Sequence, residues 1–238
     1  MPEGPAECVT LTCFRFEGAL ERVRQFGRMG LDRRALARTP DIGFHRMMGT
    51  GTGLGFRPRP DFGVWTLLAC WPSVAVARER IEAAPVWRRW RARAAEDATI
   101  FMETLGRRGD WGFETPFARR EPAPALRQGE KLAVLTRATV KVRRTAAFWA
   151  RVPAIEDALA EARDVRFHVG MGEVPWLHQV TFSVWDDEQA MRAFAHEAGP
   201  HRQAAHDARE RGWFTESLFA RFAVTGTTGR WGGAALTF

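Results

Sequence analysis

The stretch Gly43-Phe44-His45-Arg46-Met47-Met48-Gly49 returns 123 residues later as Arg166-Phe167-His168-Val169-Gly170-Met171-Gly172. Working outward, residues 62–71 are answered by 177–185, each ending in a Trp followed by Pro or Asp. Pro85 and Pro200 each open an Arg- and Ala-rich stretch, and Trp111-Gly112 is answered by Trp231-Gly232. The offsets of 123, 114, 115 and 120 residues drift with loop length but keep their order. A chain that repeats itself in this way carries two copies of one supersecondary unit.

Each copy spells the same series of elements. Residues 8–16 alternate and are rich in Val, Thr and Phe, which predicts a strand. Residues 19–29 have helical spacing, 43–49 and 62–70 are strands, and the Gly- and Pro-rich 51–60 connects them. Ser73 predicts an N-cap for a helix over 74–83. Pro85 fits the first turn of the next helix, and 99–105 is a fourth strand. In the second copy, 132–140, 165–171, 177–185 and 218–224 predict strands, and 145–152, 155–162, 188–195 and 201–211 predict helices. The order β-α-β-β-α-β is the ferredoxin-like split pattern. A four-stranded sheet with helices on one face leaves its other face apolar, and two such sheets in one chain can bury those faces together. The fold class expected is therefore α+β, with tandem ferredoxin-like units forming a fused dimeric α+β barrel. The first unit is 1–106, the second is 131–238, and the Pro- and Arg-rich 107–130 is a linker packed on the surface.

Composition narrows the function classes. Of 238 residues, 45% are hydrophobic, enough for a sizeable core, and the net charge is +7. No run of 18 apolar residues predicts a membrane-spanning helix, and the first 14 residues lack the pattern of a secretory signal. Three cysteines (Cys8, Cys13, Cys70) make no disulfide framework, which fits a reducing compartment. There is no zinc-finger spacing, ribonucleoprotein motif or Lys-rich tail, so nucleic acid is not expected as a partner. The positive charge comes almost wholly from Arg, and a solvated basic surface explains it as well as an acidic partner or an anionic membrane does.

The chemistry rests on few residues. Gly51-Thr52-Gly53-Leu54-Gly55 follows a strand but opens no helix, so it is a poor dinucleotide fingerprint. There is no nucleophile elbow and no clustered carboxylate pair. His201 follows Pro200, with Ala204, Ala205 and Ala208 on its helical face, and the matching position in the first copy is Val86. One half thus sets an imidazole over small side chains where the other keeps bulk. That asymmetry suits a flat ligand such as heme bound through one neutral imidazole, or simply a helix-end or half-buried histidine. The chain has no Tyr, so a tyrosinate ligand is excluded. His178 shares a strand face with Trp176, Val180 and Phe182 and reads as a ligand, a distal polar group or a core residue. Arg88 and Arg89, with Arg91 and Arg93, form a basic helical cluster, either solvated or suited to carboxylates of a cofactor or to an acidic donor.

Beyond these elements the chain resembles the spheroidene monooxygenase family. The resemblance is carried by Phe14-Arg15-Phe16, Gly49-Thr50-Gly51-Thr52-Gly53, Pro85-Val86-Trp87-Arg88-Arg89-Trp90 and Leu135-Thr136-Arg137-Ala138-Thr139. It continues in Gly199-Pro200-His201 and Glu210-Arg211-Gly212-Trp213-Phe214. Its most specific block is GMGEVPWLHQVTF, residues 170–182. It implies a heme-containing monooxygenase that introduces a keto group at C-2 of acyclic carotenoids by successive hydroxylations. Molecular oxygen would be the co-substrate and a reduced ferredoxin the electron donor. His201 would then be the iron ligand, with Arg88 and Arg89 near the heme propionates. His178, Trp176 and Phe182 would line the reacting centre. The setting implied is cytoplasmic, peripheral to the photosynthetic inner membrane, with transient contact at the membrane surface. Three rival readings share the barrel: a heme enzyme of peroxidase- or dehydratase-like chemistry, a non-catalytic heme binder, and a cofactor-free monooxygenase.

Overall fold

The computed structural model describes residues 8–53, 57, 59–118, 120, 122–174, 176–196 and 212–238. The first half builds β1 (Cys8–Arg15), α1 (Ala19–Leu36), β2 (His45–Gly51), β3 (Pro60–Trp71), α2 (Val74–Ala83), α3 (Pro85–Arg91) and β4 (Glu96–Gly109). The second builds β5 (Leu132–Val140), α4 (Thr145–Trp149), α5 (Val152–Glu161), β6 (Val165–Gly172), β7 (His178–Trp185), α6 (Glu188–His196), β8 (Phe214–Trp231) and a short β9 (Ala234–Ala235). Local signals act where the sequence puts them. The Ser73 hydroxyl accepts the Val76 N–H at 3.2 Å and caps α2, and Pro85 opens α3.

The strands pair in the order β4-β1-β3-β2-β6-β7-β5-β8, and β8 closes back on β4. All these pairings are antiparallel. The fold is α+β: an eight-stranded antiparallel barrel with flanking helices. Within it, β1–β4 and β5–β8 follow the same internal order. The sequence match is visible in register: Trp71 lies opposite Cys8, the first residue of β1, and Trp185 lies opposite Leu132, the first residue of β5.

Alternation along the strands sorts the apolar residues into three cores. Val9, Leu11 and Cys13 of β1 point into the barrel with residues of both halves, among them Phe182 and Phe222. Phe14 and Phe16 point outward under Trp87 and Trp90 of α3. Leu132 and Val134 point outward under α5 and α6. The segment 107–130 differs from the surface linker expected. β4 extends to Gly109, and Trp111 and Phe117 are buried in the barrel core. β8 is also far longer than 218–224, because its Gly- and Thr-rich end continues the ladder with β4.

Candidate functional site

A cavity of about 370 Å³ opens where β2 meets β6. Only Gly49–Gly172 and Thr50–Met171 pair across that seam. Two facing glycines keep the gap free of side chains there. Phe26 and Met29 of α1, Phe62 and Trp65 of β3, Trp149 of α4 and Met171 wall the cavity. Phe26 packs edge-on against Phe62, with ring centroids 5.2 Å apart.

The polar side comes from one tight turn. After β6 the chain turns so that the N–H groups of Leu177 and His178 both reach the Val174 carbonyl, at 3.3 and 3.1 Å. Trp176 takes a positive φ of 65° in this turn. Its carbonyl accepts the Trp149 indole N–H at 3.1 Å, which fastens the turn to α4. The turn brings the Glu173 carboxylate and the His178 ring together, with Nδ1 and Oε2 3.6 Å apart. His178 Nδ1 is buried and has no hydrogen-bond partner among the described residues. At 3.6 Å the two atoms are too far apart for a hydrogen bond.

Glu173 is the hub of this corner. It accepts the Trp111 indole N–H at 2.9 Å and pairs with Arg46 Nε at 2.8 Å and with Arg137 Nε at 3.6 Å. Arg46 also pairs with Glu114, and its guanidinium lies over the Phe44 ring, 4.1 Å from the centroid. Arg137 is almost fully buried and also holds Glu216 at 2.9 Å. That hydrogen bond, assisted by Thr139 and the Arg137 charge, holds the Glu216 carboxyl below its ordinary pKa.

The sequence-derived candidates separate. His178 and Trp176 line the cavity. Phe182 instead points into the barrel core. Arg89 pairs with the buried Asp32 of α1 at 2.6 Å, Arg88 is exposed, and neither lines this cavity. His201 lies outside the described residues, as does its helix over 201–211. Glu173, Arg46 and Arg137 were not singled out from the sequence, because no spacing rule links residues so far apart. The three cysteines are buried strand residues away from the cavity. Burial pushes the Cys8 and Cys13 thiols up to about 12, and Cys70 up as well. No group of three potential metal ligands occurs among the described residues. Heme iron needs only one axial side chain, so that finding bears on mononuclear sites and not on heme.

Comparison with known proteins fixes the family. The chain is 43% identical to spheroidene monooxygenase of Rhodobacter capsulatus over 227 residues, which is 94% of this chain and 92% of that one. It is 40% identical to spheroidene monooxygenase of Cereibacter sphaeroides over 228 residues, covering 95% of this chain and 69% of that one. The chain belongs to the spheroidene monooxygenase family. Membership makes it an oxidoreductase of the monooxygenase type. No protein-family model matches. Among solved structures, the chain shares its fold with an aldoxime dehydratase crystallised with butyraldoxime. That likeness has a TM-score of 0.60 at 8% identity and covers 91% of this chain and 79% of that one.

Proposed function

We propose that the chain is a heme-dependent carotenoid oxygenase that converts C-2 of an acyclic carotenoid such as spheroidene into a ketone at the β2–β6 seam. The observation that carries this reading is one imidazole, beside a carboxylate, at the wall of a cavity whose other side is built from aromatic and Met side chains. Family membership supports the carotenoid as substrate. The cavity volume is at the lower end for ligand pockets. It suits the end of a long polyene, and C-2 lies near such an end.

The donor set suits heme: His178 is the imidazole at the cavity wall and would hold the iron. Arg57 at the cavity wall suits a propionate. His201 is the rival residue for holding the iron, and His178 would then serve as a polar group beside the substrate. Bound heme would supply oxygen activation, with electrons from a reduced ferredoxin. The protein's own part is positional. Phe26, Phe62, Trp65 and Trp176 would hold the apolar chain end and exclude water. Two hydroxylations at one carbon would each consume one O₂, two electrons and two protons and release one water. The geminal diol then loses water to give the ketone.

On the same reading the barrel is two fused ferredoxin-like units, 1–106 and 131–238, joined through 107–130. The matching strand orders of the two halves support this. A water-insoluble substrate implies contact with a membrane surface from a cytoplasmic, peripheral setting; among the described residues no helix is long and apolar enough to cross a membrane.

The test is the optical spectrum of the purified protein with and without added heme, beside His178→Ala and His201→Ala. The expected result is a Soret band in the parent that His178→Ala loses. Loss in His201→Ala alone would move the ligand to that residue. A parent that binds no stoichiometric heme, or binds it without oxygen- and ferredoxin-dependent conversion of spheroidene, would overturn the mechanism.

A further inference from the structure

Helix α1 is turned inside out. A surface helix normally buries its apolar face, yet α1 buries Gln25 and Asp32 with Leu36. The ion pair from Asp32 to Arg89 and the hydrogen bond from the Trp90 indole N–H at 3.0 Å hold it that way round. At 3.6 residues per turn, Leu20, Val23, Phe26 and Leu31 fall together on the opposite side. They are exposed by 68, 70, 55 and 62%. Arg22 and Arg33 flank this face on one side and Arg24 on the other, and Arg34 lies within it. Arg33 and Arg34 have no ion-pair partner among the described residues. The face runs into the cavity mouth, because Phe26 belongs to both. Across the mouth, Val174 and Trp176 are exposed by 41 and 54%.

We propose that this face of α1, with the aromatic mouth beside it, is the surface by which the protein docks on an anionic lipid bilayer. The proposal rests on the carotenoid reading above for its purpose, although not for its geometry. An apolar stripe bordered by arginines is the pattern of a helix that lies in the plane of a membrane interface. The net charge of +7 favours the same partner. A second copy of the chain would set these arginines against one another, which disfavours self-association. Docked this way, the cavity mouth would face the hydrocarbon from which a long polyene could enter end first.

The test uses flotation of the full chain with vesicles of phosphatidylcholine, alone or with one-third phosphatidylglycerol. The parent should bind the anionic vesicles and release as salt rises. The triple variant Leu20→Gln, Val23→Gln, Leu31→Gln replaces no cavity-lining residue, and its partition should fall by at least about tenfold. Val23→Trp should strengthen binding, because Trp favours the interface, so the proposal can be checked even if the triple variant unfolds. Unchanged partition in the triple variant or in Val23→Trp would overturn it. So would a face whose loss only dissolves a dimer seen by sedimentation. Turnover of detergent-dispersed carotenoid separates the two readings. Face-dependent vesicle binding without turnover would sink the functional reading alone. Normal turnover with vesicle binding indifferent to the face would sink the docking surface alone.

Discussion

The barrel has two seams between its halves, and they are built differently. At one, β4 and β8 pair from Ala98–Gly229 to Gly109–Leu218 with two register shifts. At the other, β2 and β6 share two residue pairs. Both join matching strands of the two halves, so the pseudo-twofold maps each seam onto itself and leaves the two free to differ. A strand edge must be paired or covered. The long seam is closed by its ladder. The short one is covered by α1, by Val174 and Trp176, and by the Arg46–Glu173–Arg137 cluster. Covering with side chains leaves a cavity that pairing would have filled, so the site lies where the ladder is shortest.

The strongest way to break this contrast is to remove the hub of the short seam. Glu173→Ala would leave the buried Arg137 and the Arg46 guanidinium short of a counter-charge and the Trp111 N–H without its acceptor. We expect a loss of about 3 kcal/mol in urea unfolding, together with loss of heme binding. A cost near that of an ordinary surface carboxylate would mean that packing, not charge, holds the seam. A smaller effect comes from filling the gap. A Cβ on Gly172 would sit 2.3 Å from the His178 carbonyl oxygen, a backbone atom that cannot swing aside. Gly172→Ala should therefore cost about 2 kcal/mol and displace His178. On the long seam, a Cβ on Gly226 would meet only the end of the Arg78 side chain, at 2.9 Å. Gly226→Ala should cost much less, because that end can move. Equal costs would mean that the His178 carbonyl yields as readily as the end of the Arg78 side chain.

The sequence displays the ladder and hides the cluster, for a physical reason. Strands and helices are read from local periodicity, so the repeat and most elements were legible, down to the strand-end Trp71 and Trp185. His178 and Val64 each stand seven residues before those tryptophans. An imidazole in one half thus answers an aliphatic residue in the other, an asymmetry that the repeat could have shown. Arg46, Glu173 and Arg137 meet only when the barrel closes, and nothing local marks them. The spacing in 19–29 predicts a helix, but only the partner of Asp32 decides which face turns outward. Composition made 107–130 a linker because Pro and Arg dominate it, yet two aromatic side chains suffice to make part of it core.

The smallest predicted effect concerns acid. Glu96 begins β4 at the end of the long seam and accepts the backbone N–H groups of Gly232 and Gly233 and the Arg15 guanidinium. The Gly233 N–H above all, then Gly232 and Arg15, holds its carboxyl below the ordinary value. A depressed folded pKa stabilises the fold above the unfolded value of about 4.3, and the contribution fades as the pH falls through the folded value. Glu96→Gln should cost about 1 kcal/mol at neutral pH, and its difference from the parent should vanish in acid. Urea titrations over a pH series would check this, and a difference independent of pH would rule out the carboxylate as its source.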